Sequence, residues 1–185
     1  LYTLDEVIEQ CSLALDARAD QATAQAVARL AAWAYNRRGE LRAARGDERG
    51  AFDDFQEAVL LDSRCWEALH NRGVTLACYG KLDLAEADFD QVVELNPSFA
   101  LARINRGELF GQKGQWQQAA REFTAALKLT DEKAPLYAAR ANAWFCQGDA
   151  EQALRDYSTA VALDPRLPAP WIGRAAVHAS LGRYR

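Results

Sequence analysis

The chain has 185 residues, of which 50% are hydrophobic and 26% charged, and its formal net charge is −4. A slightly acidic chain without a dominant basic stripe is not typical of nucleic-acid-binding proteins. No segment approaches the roughly 18 consecutive apolar residues of a membrane span. These properties exclude an inserted membrane protein and disfavour a nucleic-acid partner.

The first predicted element is a helix from Leu4 to Leu15, with Thr3 as its N-cap and Asp5 and Glu6 in its first turn. A hydroxyl cap followed by acidic residues stabilises the positive end of a helix. The segment VIEQCSLALD has the pattern of a later segment, LRDYSTAVALD. This first helix is therefore expected to resemble the second helix of a repeat.

A longer helix is predicted next, from about Gln21 to Arg45. Its beginning, QATAQAVARLAA, is rich in strong helix formers and adds about twelve residues to what the later pattern requires. The extension either caps the array or forms a contact surface. We favour the cap, because the exposed end of a repeat array must be covered. Residues 1–31 are thus predicted to form an N-terminal helix and helical extension.

From residue 32 onward, the chain repeats with an uninterrupted step of 34 residues. Glycine, arginine, alanine and aromatic residues all keep this step. They are Gly46, Gly80, Gly114, Gly148 and Gly182; Arg38, Arg72, Arg106, Arg140 and Arg174; Ala51, Ala85, Ala119 and Ala153; and Phe55, Phe89, Phe123 and Tyr157. A fixed period of this length indicates stacked structural repeats rather than one closed core.

One period, residues 66–99, predicts two helices and two tight turns. Apolar and small residues recur every three or four positions on both sides of Gly80, which is the period of an amphipathic helix. Glycine adopts the left-handed conformation that ends a helix without a Cβ penalty. The second helix ends at Asn96, because the residue before Pro97 is disfavoured in the helical region.

This pattern resembles the tetratricopeptide repeat (TPR), whose signature is W-x2-L-G-x2-Y, then A-x3-F, then P. The A-x3-F step is met in four repeats, for example by Ala85 and Phe89. The repeats are 32–65, 66–99, 100–133, 134–167 and a partial repeat, 168–185. The resemblance implies an all-α fold: a right-handed α-solenoid, or superhelix, of stacked antiparallel helix–turn–helix units.

The arginine ladder departs from the TPR signature, which has leucine at that position. An acidic residue follows each of the first four arginines by sixteen positions; these are Asp54, Asp88, Glu122 and Asp156. One interpretation is a row of arginines that binds an acidic ligand. The other, which we favour because the acids keep the same period, is an ion pair inside each helical hairpin, where the planar guanidinium suits bidentate pairing.

In TPR proteins, the first helices of successive repeats line a concave groove at the second, fifth, sixth, ninth, twelfth and thirteenth positions of each repeat. The resemblance places the candidate ligand-binding side chains of this chain at those positions. The candidates are Trp33, Asn36, Arg37, Glu40, His70, Asn71, Asn105, Glu108, Gln112 and Asn142.

Two of these candidates, Asn71 and Asn105, occupy the same repeat position. They form a short asparagine ladder similar to the one in the O-linked N-acetylglucosamine transferase family, where amides bind a peptide backbone. An amide both donates and accepts hydrogen bonds, so it suits an extended chain of any sequence. The carboxylate clamp of the heat-shock co-chaperones is absent, since Asn36, Glu40 and Leu101 replace residues that it needs.

No catalytic or metal-binding pattern is visible. His70 and His178 lie on different repeats, and no nucleophile–base set or phosphate-binding loop accompanies them. The four cysteines form no Cys-x-x-Cys pair, so we interpret them as small apolar side chains in helix packing. We expect no enzyme activity in this segment, no metal and no cofactor.

The predicted function is a protein–protein interaction scaffold that binds a peptide or partner segment in the groove. Two alternatives are a self-association module and a regulatory domain of a larger enzyme. Self-association is suggested by the last helix, Leu167 to Leu181, which is expected to expose Trp171, Ala175 and Val177. The chain lacks methionine and ends inside a repeat, so we expect a fragment of a longer protein. A cytoplasmic location is favoured, because no signal peptide or disulfide pattern is visible.

Overall fold

In the computed structural model of the chain, residues 3–17 and 20–182 are described, and they contain helices and turns but no strand. The N-terminal segment 1–31 and the last repeat 168–185 extend beyond the described residues at 1–2, 18–19 and 183–185. The helices are α1 (Leu4–Asp16), α2 (Gln21–Ala44), α3 (Glu48–Leu61), α4 (Trp66–Cys78), α5 (Leu82–Leu95), α6 (Ala100–Gln112), α7 (Trp116–Ala126), α8 (Lys133–Gln147), α9 (Ala150–Leu163) and α10 (Pro168–Ser180).

The two N-terminal helices begin where local sequence signals place them. Thr3 Oγ1 accepts a hydrogen bond from Glu6 N at 3.2 Å, and the Glu6 carboxylate accepts one from Thr3 N at 2.7 Å. This reciprocal arrangement is a capping box. Asp20 caps α2 in a similar way by accepting from the backbone N–H groups of Ala22 and Thr23. The predicted long helix is confirmed, and it ends one residue earlier than expected.

The turn inside each hairpin is built on a left-handed glycine. Gly80 has φ +71°, and its N–H donates to Ala77 O, while Lys81 N donates to Leu76 O at 2.9 Å. These two bonds satisfy carbonyls that the end of the helix leaves open. The equivalent turns at Gly46, Gly114 and Gly148 repeat both bonds. The glycine ladder therefore marks the reversals that make each helix pair antiparallel, as predicted.

The two helices of a hairpin approach closely at a second glycine. A Cβ at Gly73 would lie 2.9 Å from Cε1 of Phe89, whose ring is 1% exposed. Gly39 and Phe55, and likewise Gly107 and Phe123, repeat this contact. The aromatic ring fills space that any side chain at the glycine would occupy, which explains the pairing of small and aromatic residues along the chain.

The arginine ladder forms ion pairs within hairpins. Arg72 Nε and Nη2 donate to the two oxygens of Asp88 at 2.9 and 2.6 Å, and the Asp88 side chain is only 6% exposed. The same bidentate relation joins Arg38 with Asp54 and Arg140 with Asp156, and Arg106 Nη2 pairs with Glu122 Oε1 at 2.8 Å. Hydrogen bonding to Asp156 raises the pKa of Arg140. The predicted ion pairs inside the hairpins are confirmed, and their contribution to stability stays a prediction.

The chain divides into two compact units, of which unit 1 spans Leu1–Asn96. In unit 1, α1 packs against α2, the hairpin of α2 and α3 contacts α4, and α4 pairs with α5. The buried alanines Ala32, Ala58 and Ala68 bring these helices together. The predicted division between residues 31 and 32 lies inside α2, so the extension and the first repeat share one helix. The division itself stays a prediction.

Unit 2 spans Pro97–Arg185 and contains two hairpins, α6 with α7 and α8 with α9, followed by α10. Its core includes Tyr157 and Val177, which are 1% and 0% exposed. The expectation that Val177 is exposed is therefore wrong, because α10 packs this side chain against the preceding hairpin. Trp171 and Ala175 are exposed, as expected.

The four cysteines are free thiols in different environments. Cys11 is buried and Cys65 is half-buried, which agrees with a packing role. Cys78 and Cys146 are exposed, so the same expectation is wrong for these two. Both are the thirteenth residue of a repeat, near the end of its first helix.

Candidate functional site

The candidate residues of unit 1 lie on two neighbouring helices. Trp33, Asn36, Arg37 and Glu40 belong to α2, and His70 and Asn71 belong to α4. The helices are in contact, and Asn71 meets Asn36 and Glu40 across the boundary between them, at sequence separations of 35 and 31 residues. We call the six residues the α2–α4 groove face.

A hydrogen-bond network joins the two helices at this face. Asn71 Nδ2 donates to Asn36 Oδ1 at 3.0 Å and lies 3.4 Å from Glu40 Oε1. Asn36 Nδ2 donates to the same Glu40 oxygen at 3.1 Å. Two amides from adjacent repeats thus hold one carboxylate. Such a network fixes the orientation of each polar group before any ligand arrives.

Asn36 differs from the other candidates because it is buried, with 6% of the residue exposed. Its amide is engaged on both sides, as acceptor for Asn71 and donor to Glu40. Asn36 therefore orients the side chains of Asn71 and Glu40 from a buried position beneath them. The sequence predicted a ligand contact at this residue, whereas the observed geometry favours a positioning role.

Arg37 and Trp33 form the exposed part of the α2–α4 groove face. Arg37 Nη1 donates to Glu40 Oε2 at 2.6 Å, and 57% of the Arg37 side chain is exposed. Trp33 is 54% exposed. Residues 33, 37 and 40 lie at intervals that keep them on one side of the helix. A ligand lying along this side of α2 would contact the indole of Trp33, the guanidinium of Arg37 and the carboxylate of Glu40.

His70 closes the network on α4. Its Nδ1 lies 3.4 Å from Asn71 Oδ1, and its ring lies 6.1 Å from the Phe89 ring, centre to centre. Burial lowers the pKa of His70, and the contact with Asn71 opposes this shift. Burial therefore favours the neutral imidazole, which offers a polar edge without a charge.

The candidates of unit 2 lie on α6 and α8. Asn105, Glu108 and Gln112 belong to α6, and burial raises the pKa of Glu108. Asn142 belongs to α8, and its Oδ1 accepts a hydrogen bond from the Tyr157 hydroxyl. This hydrogen bond holds the side-chain amide of Asn142 in one orientation.

The predicted asparagine ladder connects residues of different units. Asn71 lies in unit 1 and Asn105 in unit 2. Their use by one ligand therefore stays a prediction.

Tyr157 is a functional candidate that the sequence analysis did not select. Phe55, Phe89 and Phe123 occupy its repeat position in the other hairpins, and only Tyr157 adds a hydroxyl there. That hydroxyl fixes the amide orientation of Asn142. The replacement of phenylalanine by tyrosine was the available signal, since a buried hydroxyl needs a polar partner.

Two other kinds of feature are missing from residues 3–17 and 20–182. No group of three or more His, Cys, Asp and Glu side chains is arranged to hold a metal ion. None of the helices in these ranges is both long and apolar enough to cross a membrane.

Comparison with known proteins identifies the fold. Residues 134–167 match the tetratricopeptide repeat family. Among solved structures, the chain resembles MamA (residues 41 to the end) from Desulfovibrio magneticus RS-1, with 21% identity, a TM-score of 0.76, and coverage of 82% of this chain and 86% of that chain. It also resembles a tetratricopeptide repeat protein from Parabacteroides merdae, with 19% identity, a TM-score of 0.73, and coverage of 98% and 74%.

A third solved structure is YrrB, described as a TPR protein with an unusual peptide-binding site. It is 20% identical, with a TM-score of 0.73, and the match covers 92% of this chain and 91% of that chain. A search of curated proteins finds no significant match. At these identities the likenesses establish the fold, and the predicted resemblance to TPR proteins is confirmed.

Proposed function

We propose that this tetratricopeptide-repeat chain is a protein-interaction scaffold that binds an extended segment of a partner protein on the groove faces of its first helices. The observation that carries the proposal is the network that Asn36, Glu40 and Asn71 form between α2 and α4. The network places polar groups on the groove face, whereas the small and aromatic residues that recur in each repeat pack the two helices of a hairpin together.

The network suits a peptide because its groups are ordered in advance. An extended peptide offers one N–H and one C=O at each residue, and oriented side chains bind these groups at a lower entropic cost than mobile ones. Asn71 and Glu40 offer acceptors to the peptide N–H groups. The indole of Trp33 adds an exposed apolar surface of the kind that often dominates binding energy.

The fold supports the same role. Repeat arrays present extended surfaces for other macromolecules. YrrB, which has this fold, is described as having an unusual peptide-binding site. The proposed role requires no catalysis by this segment.

Selection from a random peptide library tests the proposal. We expect the chain to enrich peptides, and the Asn71→Ala/Asn105→Ala double variant to lose at least about tenfold in affinity for them, which equals 1.4 kcal/mol. Gln56→Ala is the matched control, since Gln56 is an exposed amide residue on the second helix of a hairpin. If both variants keep the selected peptides equally well, the groove does not bind them.

Self-association is a second candidate, because α10 exposes large apolar side chains. Ile172 is 69% exposed, and Trp171 is 45% exposed. If α10 pairs with a second copy, light scattering should show a dimer that Ile172→Glu converts to a monomer. Leu60→Glu is the control, as Leu60 is 70% exposed on α3. A monomer at all concentrations would remove this candidate.

A further inference from the structure

We propose that Glu40 is the anchor for a basic side chain, lysine or arginine, of the bound peptide, and that Arg37 occupies this anchor until the ligand displaces it. The inference rests on the proposed function and specifies the chemistry of the ligand.

The Glu40 carboxylate is held in place from one side. Its Oε1 receives Nδ2 of Asn36 at 3.1 Å from its own helix and Nδ2 of Asn71 at 3.4 Å from the next repeat. These contacts fix the carboxylate while 36% of the side chain stays exposed. The two amides engage Oε1, and the other oxygen, Oε2, pairs with Arg37.

Arg37 makes a single hydrogen bond to that oxygen, from Nη1 at 2.6 Å. The pair is exposed and joins residues three apart on one helix, and such pairs contribute little stability. The pair of Arg72 with Asp88 shows the opposite geometry, with two hydrogen bonds and a carboxylate 6% exposed. Arg72 is therefore fixed, whereas a ligand cation can replace Arg37 at Glu40 without disturbing a hairpin.

The rest of the α2–α4 groove face also favours a hydrogen-bond donor. Asn71 Nδ2 is engaged with Asn36 and Glu40, and Asn71 Oδ1, which lies 3.4 Å from His70 Nδ1, is an acceptor on this face. The exposed indole of Trp33, on the same side of α2, binds cations through its ring face. A carboxylate ligand at this position would instead be repelled by Glu40.

The decisive test uses two variants with opposite expected effects. The probes are three fluorescently labelled twelve-residue peptides, in which serine alternates with lysine, glutamine or glutamate. Each peptide is titrated with the protein at low salt, and fluorescence anisotropy measures binding. We expect the lysine peptide to bind most tightly. Glu40→Gln should weaken its binding about three- to fivefold, while Arg37→Gln should strengthen it about two- to threefold by freeing the carboxylate.

Matched controls separate the anchor from net charge. Glu57→Gln is the control for Glu40→Gln, and Arg49→Gln is the control for Arg37→Gln, since each makes the same charge change at an exposed residue of α3. Each control should change the affinity for the lysine peptide less than its groove variant does. Thermal melting of all four variants monitors the fold. If Arg37→Gln weakens the lysine peptide, Arg37 itself contacts the ligand and the proposal is overturned.

The outcomes also distinguish the inference from the proposed function. If the glutamine peptide binds as tightly as the lysine peptide and depends on Asn71 but not on Glu40, the scaffold binds peptides and the basic anchor is wrong. If no peptide, including those from the random library, binds in an Asn71-dependent manner, both are wrong.

Discussion

The Tyr157 ring lies directly against Gly173, so closely that a Cβ at Gly173 would overlap the Cζ, Cε1 and hydroxyl atoms of the ring. In the three preceding hairpins, the aromatic ring lies instead against a glycine of its own hairpin. The glycine of the fourth hairpin is replaced by Ala141. The ring of Tyr157 therefore uses space on α10, the first helix of the next repeat.

We expect Gly173→Ala to destabilise the protein by about 1–3 kcal/mol, because the added methyl group overpacks the contact with Tyr157. Gly111→Ala is the control: its Cβ would meet only Trp116, at an ordinary 3.5 Å. In a helix that change should be neutral or stabilise by up to about 1 kcal/mol. Urea unfolding measures both. Equal effects at the two glycines would contradict the packing explanation.

Asp88→Ala should lower the free energy of unfolding by about 2–4 kcal/mol, because it leaves the guanidinium of Arg72 without its bidentate partner. The loss is moderated because 23% of the Arg72 side chain is exposed. Glu94→Ala, an exposed change on the same helix, should stay within about 0.5 kcal/mol. An unchanged melting temperature of Asp88→Ala would show that the pair is not structural.

Asn36→Ala is expected to separate positioning from contact. Removing this buried amide takes hydrogen bonds from Glu40 and Asn71 and should cost about 1–3 kcal/mol of stability. Peptide affinity should fall as well, since the two groups lose their orientation. Asn71→Ala, at a half-buried residue, should lower affinity with a smaller loss of stability. Calorimetry and peptide titration on both variants check this difference, and a stable Asn36→Ala protein would refute the positioning role.

The burial of His70 predicts a pH dependence of stability. Burial lowers the pKa of His70 in the folded protein, so the unfolded chain binds more protons at mildly acidic pH. Stability should therefore decrease as the pH falls through and below the ordinary histidine pKa of about 6.5. His70→Gln should reduce the decrease between pH 7 and 5, as followed by urea unfolding. His178→Gln, at an exposed residue, should leave it unchanged; an identical pH profile for His70→Gln would contradict the prediction.

Local signals explain why much of the fold was predictable. The start of α1 depends on Thr3 and Glu6, and the hairpin turns depend on glycines such as Gly80, all within a few residues of the structure they determine. The arginine pairs were predictable for a different reason. A constant offset of sixteen residues inside a helical hairpin brings an arginine and an acid together in four repeats, as it does for Arg72 and Asp88.

The candidate site was less predictable, because the repeat assigns a face to each residue but not a partner. Asn36 and Asn71 lie 35 residues apart in sequence and meet only because α2 and α4 pack side by side. The repeat position of Asn36 identified it as a groove residue, whereas its burial follows from the packing around it. In the same way, the predicted exposure of Val177 is wrong, because residues of the preceding hairpin, such as Tyr157, bury its side chain.

The sequence by itself determined the helices, their turns and the pairing within each hairpin, because these features depend on near neighbours and on a fixed period of 34 residues. Only the tertiary structure decided which groove side chains are bound to each other and which are exposed. The physical reason is that hydrogen bonds between repeats depend on the packing of helices that are distant in sequence. Glu40 therefore became a candidate anchor only when Asn36, Asn71 and Arg37 were found around it.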